Sequence, residues 1–302
     1  MGKKLFIVLN PAAGKKRAQK HMFDILEQFS SADFQCTVHI TKGLGDGANA
    51  VRKITEPYDM IVAIGGDGTL NEVVTGLLDS KKDIPIGYIP AGSTNDYAAT
   101  LGLSKDFAIA AKDIIYGTKT KLDIGSINNR FFVYIASFGA FTGVSYSTPQ
   151  IAKNLLGHAA YVLSGIKDIA SLSPIHMRVE TPINSFEGDY IFGAVSNSTS
   201  IGGIMTLDSS VVDLSDGLFE VTLIKTPQNA IELGKIITSI QNSDFTAECF
   251  DTCITSEATF YPDKVVPWTL DGEYFEGDTV IKIKNLHNAI SLILNRRKRE
   301  SI

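Results

Sequence analysis

The sequence predicts an α/β N-terminal domain with a parallel sheet, followed by a mainly antiparallel β-sandwich domain. The chain has 302 residues, enough for two domains at roughly 100–200 residues each. Up to about Lys121, short apolar runs alternate with amphipathic stretches, the rhythm of a parallel sheet covered by helices on both faces. Beyond Lys121 short β-rich segments dominate, which argues for a second, antiparallel domain. The expected domains are residues 1–122 and 123–302, with the tail free to return to the first.

In the first domain, strands are expected at Leu5–Leu9, Phe34–Ile40, Met60–Ile64 and Ile84–Ile89. Each is rich in Ile, Val or Phe and stops at Asn, Thr, Gly or Pro. Helices are expected between them at Arg17–Phe29, Asp46–Ile54 and Leu70–Leu78; Met22, Ile25, Leu26 and Phe29 recur at helical spacing. The second domain offers strands at Leu122–Ile127, Arg130–Ser137, His176–Glu180, Tyr190–Val195, Leu218–Ile224, Thr259–Tyr261 and Val280–Lys284. Helical patterns persist at Leu155–Leu172 and Ala230–Ile240, and no repeat of fixed period is visible.

Composition narrows the function. Hydrophobic residues make up 44% and charged residues 20% of the chain, which excludes disorder as a description of the whole. Lys+Arg 28 against Asp+Glu 33 leaves a net charge of −5, so no overall basic field exists to hold nucleic acid. Cys36, Cys249 and Cys253 are an odd number, unsuited to a disulfide framework and consistent with a reducing compartment. The apolar run Leu5–Leu9 stops at Asn10-Pro11, and the uncharged stretch Phe131–Ala152 is broken by polar residues and Pro149. A soluble protein, at most peripheral to a membrane, is expected.

Three segments carry the chemistry. Gly65-Gly66-Asp67-Gly68-Thr69-Leu70-Asn71-Glu72 follows a strand and opens a helix. Its glycines let backbone approach an anion, and the helix start aims N–H groups at it. It lacks the Lys of a Walker A loop, so a plain glycine turn capping a helix is the bland alternative. Asn10-Pro11-Ala12-Ala13-Gly14 and Pro90-Ala91-Gly92-Ser93-Thr94-Asn95-Asp96 end two more strands. In a parallel sheet all three fall at one edge, where nucleotides bind. The five histidines are scattered without metal-ligand spacing, and protein-kinase marks such as H-R-D and D-F-G are absent.

These segments, in order and spacing, resemble the diacylglycerol kinase catalytic family, and within it the soluble bacterial lipid kinases. The likeness continues at Val211–Glu220 and Trp268–Glu273, so it covers nearly the whole chain. It implies ATP bound between an α/β domain and a β-sandwich domain, with Mg²⁺ required. By the resemblance, the nucleotide touches Asn10, Pro11, Ala12, Ala13, Gly14, Thr41, Gly66, Asp67, Gly68, Thr69, Leu70, Asn71, Glu72 and Thr94. It also implies a structural magnesium site at Asp213, Asp216 and the carbonyl of Leu218, where an Asp-Gly turn is the bland alternative. The general base falls in Leu270-Asp271-Gly272-Glu273, at Glu273 or else Asp271, with Asp67 the next candidate. Asp96 is a further carboxylate for catalytic Mg²⁺.

The expected function is therefore an ATP-dependent lipid kinase converting diacylglycerol to phosphatidate. Its partners are ATP and a membrane lipid, with peripheral contact at the inner face of the membrane, a cytoplasmic location, and a homodimer as the candidate assembly. The alternatives are a kinase of another lipid alcohol, a NAD kinase-like enzyme sharing the G-G-D-G-T loop, and a catalytically idle binding module. The tail Arg296-Arg297-Lys298-Arg299 is either a solvated terminus or a contact for anionic headgroups.

Overall fold

The computed structural model describes residues 2–140, 173–201, 205–206 and 213–295. The helical pattern at Leu155–Leu172 and the basic run Arg296–Arg299 lie outside the described residues. The chain divides into two compact units, Met1–Leu122 with Asn288–Ile302, and Asp123–His287.

The first unit is built on parallel strands β1 (Lys3–Leu9), β2 (Phe34–Ile40), β3 (Met60–Gly65) and β4 (Ile86–Pro90), in the order β2-β1-β3-β4. Leu5 of β1 is aligned with Cys36 on one side and Met60 on the other. Strands β1, β3 and β4 are near-continuous apolar runs because helices cover both faces, whereas β2, at the sheet edge, buries only Phe34 fully. On one face α1 (Arg17–Lys20), α2 (Met22–Ser31) and α6 (Phe107–Tyr116) bury Leu5, Ile7, Val62 and Ile64. On the other, α3 (Asp46–Arg52) and α4 (Asp67–Asp79) pack on β1 and β3 through Val51, Val73 and Leu77. A short α5 (Asp96–Thr100) precedes α6.

The structure departs from expectation at three places here. The helix expected at Arg17–Phe29 is interrupted at His21, whose backbone leaves helical angles (φ −106°, ψ 5°) while its ring meets Phe107 at 5.1 Å. Helices α5 and α6 stand where no helix is expected, although Asp106 is an ordinary N-cap, accepting from the Ile109 amide at 3.0 Å. Helix α4 starts at Asp67 rather than Leu70, so the glycine segment is itself the helix entry.

The second unit is antiparallel and forms two layers that share the long strand β9 (Ser185–Ser196). Strands β5 (Thr118–Ile127), β6 (Arg130–Phe132), β8 (Ile175–Glu180), β14 (Glu257–Pro262) and β17 (Ile281–Leu294) lie toward one end of β9. Strands β7 (Ile135–Gly139), β12 (Phe219–Lys225), β13 (Phe250–Thr255), β15 (Trp268–Leu270) and β16 (Glu273–Phe275) lie toward the other. Between them Trp268 packs on Phe138 and Phe260, at 4.9 and 5.1 Å, in a core with Met177, Val179, Val221 and Ile283. Two-residue strands β10 (Ser200–Ile201) and β11 (Met205–Thr206) form a separate hairpin, and helix α7 (Ala230–Gln241) follows β12. The strand expected at Arg130–Ser137 splits at Val133 and Tyr134 because their amides serve a side chain instead of a ladder.

Candidate active site

Three loops leave the carboxyl ends of β1, β3 and β4 and meet backbone to backbone. At Gly14 (φ 50°) an added Cβ would run into the Ala91 carbonyl, and at Gly92 it would lie 2.6 Å from Gly66 Cα. The Ala91 amide donates to Gly65 O at 2.6 Å, and Gly92 N donates to the same oxygen at 3.2 Å. Asn95, in the left-handed region (φ 56°), accepts from Gly92 N at 2.8 Å and donates to Gly92 O at 2.9 Å. Asn10 accepts from the Ala12 amide at 3.0 Å and donates to Thr69 Oγ1 at 3.3 Å, joining the first loop to the start of α4. The result is a floor of half-buried, closely packed backbone at one sheet edge, beside the N-terminus of a 13-residue helix.

On this floor Asp67 is the first residue of α4. Its carboxylate accepts from Tyr88 Oη at 3.3 Å and from the Asp96 amide at 3.1 Å. Desolvation pushes the Asp96 carboxyl above its ordinary value; burial, then the charges of Asp67 and Asp96, holds the Tyr88 phenol neutral. Asn71 accepts from Thr75 Oγ1 at 3.2 Å. Thr94 is exposed, whereas Thr69 and Leu70 are buried, so Leu70 can offer a ligand only backbone. Thr41 caps β2, its amide donating to Leu9 O at 2.9 Å. Glu72 turns to the β2–α3 turn, accepting from Gly45 N at 2.7 Å and Gly47 N at 2.8 Å. Sequence reasoning missed Tyr88 and Asn95 as site residues. The first reads as one more core position of a buried strand, and the second as a plain turn residue.

In the second unit, Asp271 and Gly272 have φ of 49° and 88°, both positive, and Leu270 pairs with Glu273. That is the two-residue type I′ hairpin to which Asp-Gly is suited. The Asp271 carboxylate is buried and accepts three amides, Val133 at 2.6 Å, Tyr134 at 3.0 Å and Ile135 at 3.1 Å. Glu273, just past the turn, is only partly buried. The two carboxylates thus live in different surroundings.

Asp213 Oδ1 accepts from Ser215 N and Oγ at 3.0 and 2.9 Å, and Asp216 Oδ1 from Leu218 N at 2.9 Å. Each aspartate therefore spends one oxygen on its own turn and keeps the other. The Leu218 carbonyl accepts from Asn285 Nδ2 at 3.0 Å, while Asn285 Oδ1 is buried without a hydrogen bond. Asp123, fully buried, holds the same turn by accepting from Gly217 N at 2.6 Å and meeting His287 Nδ1 at 3.1 Å. Desolvation, with the charge of Asp216 adding to it, pushes the nearby Glu220 carboxyl up to about 8. Among the described residues no group of three or more His, Cys, Asp or Glu is assembled to hold an ion. Two carboxylates and a carbonyl on one short turn are oxygen ligands of the type hard cations take.

The diacylglycerol kinase catalytic domain family matches residues 4–127. A diacylglycerol kinase of Bacillus subtilis (strain 168) is 31% identical over 305 aligned residues, covering 99% of both chains. One from Staphylococcus aureus (strain MRSA252) is 34% identical over 82% of this chain and 78% of its own. A solved structure from Bacillus anthracis str. Sterne superposes with a TM-score of 0.83 over 98% of this chain and 96% of its own, at 24% identity, a likeness of fold.

Proposed function

The chain belongs to the diacylglycerol kinase catalytic family and is a lipid kinase, and from that premise we propose that it transfers the γ-phosphoryl group of ATP to the hydroxyl of diacylglycerol, giving phosphatidate. The observation that carries the ATP reading is the floor made by Gly14, Gly66 and Gly92 at the carboxyl edge of β1, β3 and β4. The glycines let the three loops pack backbone on backbone, and the free amides at the start of α4 beside them suit a polyphosphate rather than an apolar ligand. Phosphoryl transfer depends on positioning and charge stabilisation, and roles divide accordingly. Asn10–Gly14, Gly66–Asn71 and Thr94 would hold the phosphates, and Thr41 the nucleoside end.

Glu273 is the preferred base. Asp271 already serves three amides, and taking a proton would weaken that cluster, whereas Glu273 is partly exposed just past the turn. Asp67, held by Tyr88 and the Asp96 amide, would orient groups at the phosphates. Mg²⁺, when bound, would neutralise phosphate charge near Asp67 and Asp96, and a second ion at Asp213, Asp216 and the Leu218 carbonyl would stiffen that turn. Because the acceptor is insoluble in water and the donor cytoplasmic, the working position is peripheral, at the inner face of the membrane.

The test is a panel of acceptors with labelled ATP and Mg²⁺: diacylglycerol and a sphingoid base in mixed micelles, and NAD⁺ in solution. Labelled phosphatidate as the main product supports the reading. Transfer only to the sphingoid base or to NAD⁺ replaces the acceptor, and ATP binding without any product would leave a binding module.

A further inference from the structure

We propose that Glu72 is a positioning residue, acting on the nucleotide through the β2–α3 turn and not by touching it. The inference rests on the nucleotide reading of the loops and deepens it. Both carboxylate oxygens of Glu72 are occupied, Oε1 by Gly45 N at 2.7 Å and Oε2 by Gly47 N at 2.8 Å. These amides belong to the N-cap and first turn of α3, which has no side-chain cap of its own. A helix start leaves four N–H groups without intrahelical partners, and here a neighbouring helix supplies a carboxylate for two N–H groups at that start. The charge also suits the positive end of the helix dipole.

The local sequence is shaped around this contact. At Gly47 a Cβ would lie 2.6 Å from Glu72 Oε2, so any other residue would push the carboxylate away. Gly45 has φ 78°, which other residues adopt only under strain. The rest of the turn is tied internally. Asp46 Oδ2 accepts from Lys42 N at 2.8 Å and meets His39 Nε2 at 3.1 Å. Yet Gly43 and Gly45 have open space around them, and Leu44 is 84% exposed. A turn with this little packing depends on hydrogen bonds for its shape.

Its position gives the brace a purpose. In the order β2-β1-β3-β4 the three glycine loops follow β1, β3 and β4, so the turn after β2 is the next along the same edge. Thr41 stands at its head. Glu72 lies on α4, whose first residues form the phosphate floor, so one carboxylate sets the spacing between floor and turn. Loosening it should weaken ATP binding without touching the reacting atoms.

The experiment compares wild type with Glu72→Gln and Glu72→Ala. In Gln one acceptor becomes an NH₂ group facing a glycine N–H; in Ala both acceptors vanish. Amide exchange at Gly45 and Gly47 is followed by NMR, and steady-state kinetics are run with ATP varied at saturating diacylglycerol micelles. The expected result is faster exchange at both glycines, a KM for ATP raised about tenfold and a kcat within about twofold. A raised KM with unchanged exchange would mean that Glu72 contacts the nucleotide directly, overturning the inference, and so would unchanged KM in both variants. If the variants fail to fold, wild type decides: exchange at Gly45 and Gly47 as fast as at unbraced Gly43 refutes the brace. Failure of the wild type to bind ATP would sink the nucleotide reading instead, so the two failures are distinguishable.

Discussion

Asp271 and Glu273 stand two residues apart on one hairpin and differ in what surrounds them, and the roles should divide with the surroundings. Asp271 accepts three buried amides, so removing the carboxylate strands all three donors. Asp271→Ala should therefore lower the stability by about 1–3 kcal/mol for each donor left unsatisfied, and the melting temperature with it. Glu273→Gln should melt like wild type and lose kcat by about 10²–10⁴-fold, the usual weight of a general base, with little change in KM for ATP. Thermal melts beside steady-state kinetics read both outcomes. If Glu273→Gln keeps its kcat, the base lies elsewhere. If the turn from Asp213 to Leu218 takes the ion proposed for it, added Mg²⁺ should raise the melting temperature of wild type but not of Asp216→Ala, since an ion bound only to the folded chain stabilises it. Equal responses to Mg²⁺ would refute that site.

Individual elements show how local pattern and distant partners combine. Strands β1, β3 and β4 are readable because buried parallel strands are continuous apolar runs, and the edge strand β2 is readable by its Phe, Val and Ile. Strands β15 and β16 are three residues each, too short for any periodicity to show. The split between β6 and β7 is made by a carboxylate 136 to 138 residues away, which no window around Val133 contains. The β8–β9 hairpin offers a pH-dependent test. His176 and Asp189 are directly opposite in the ladder and hydrogen-bonded at 2.9 Å. The bond to Asp189, then the charges of Asp263, Asp189 and Glu187, raises the His176 pKa above its ordinary value. A raised histidine contributes stability that is full below the unfolded value of about 6.5 and fades as pH rises through the folded one. An NMR titration should place His176 above 6.5 in wild type and lower in Asp189→Asn; no difference would dismiss the pair.

At the scale of the whole molecule, the first unit is not a contiguous stretch of chain. Residues from Asn288 onward belong to it, and β17 runs beside β4 with Leu292 aligned to Ile86. Leu292, Ile293 and Leu294 are buried there. Burying three such side chains is worth about 1.5–3 kcal/mol each, a large part of a typical total of roughly 5–15 kcal/mol. A fragment of residues 1–122 should therefore show no cooperative unfolding transition, having lost that core and opened the edge of β4. Calorimetry or denaturant titration of the fragment reads this directly, and a sharp transition like that of the full chain would contradict it.

The sequence by itself determined the α/β and antiparallel fold classes, the four parallel strands and the three glycine loops at one edge. These follow from neighbours in the chain, through hydrophobic periodicity and the backbone freedom of glycine. It also marked Asp271 and Glu273 as a pair, because Asp-Gly names its own turn. Only the tertiary structure decided that Asp271 serves the amides of Val133 to Ile135, and that Tyr88 and Asn95 hold Asp67 and Gly92. It alone turned Glu72 onto Gly45 and Gly47, and brought the end of β17 beside β4. A carboxylate looks the same in sequence whether it faces a ligand, a metal or a backbone amide. Which of these it meets is set by chain segments that return from far away, and that return exists only once the fold has formed.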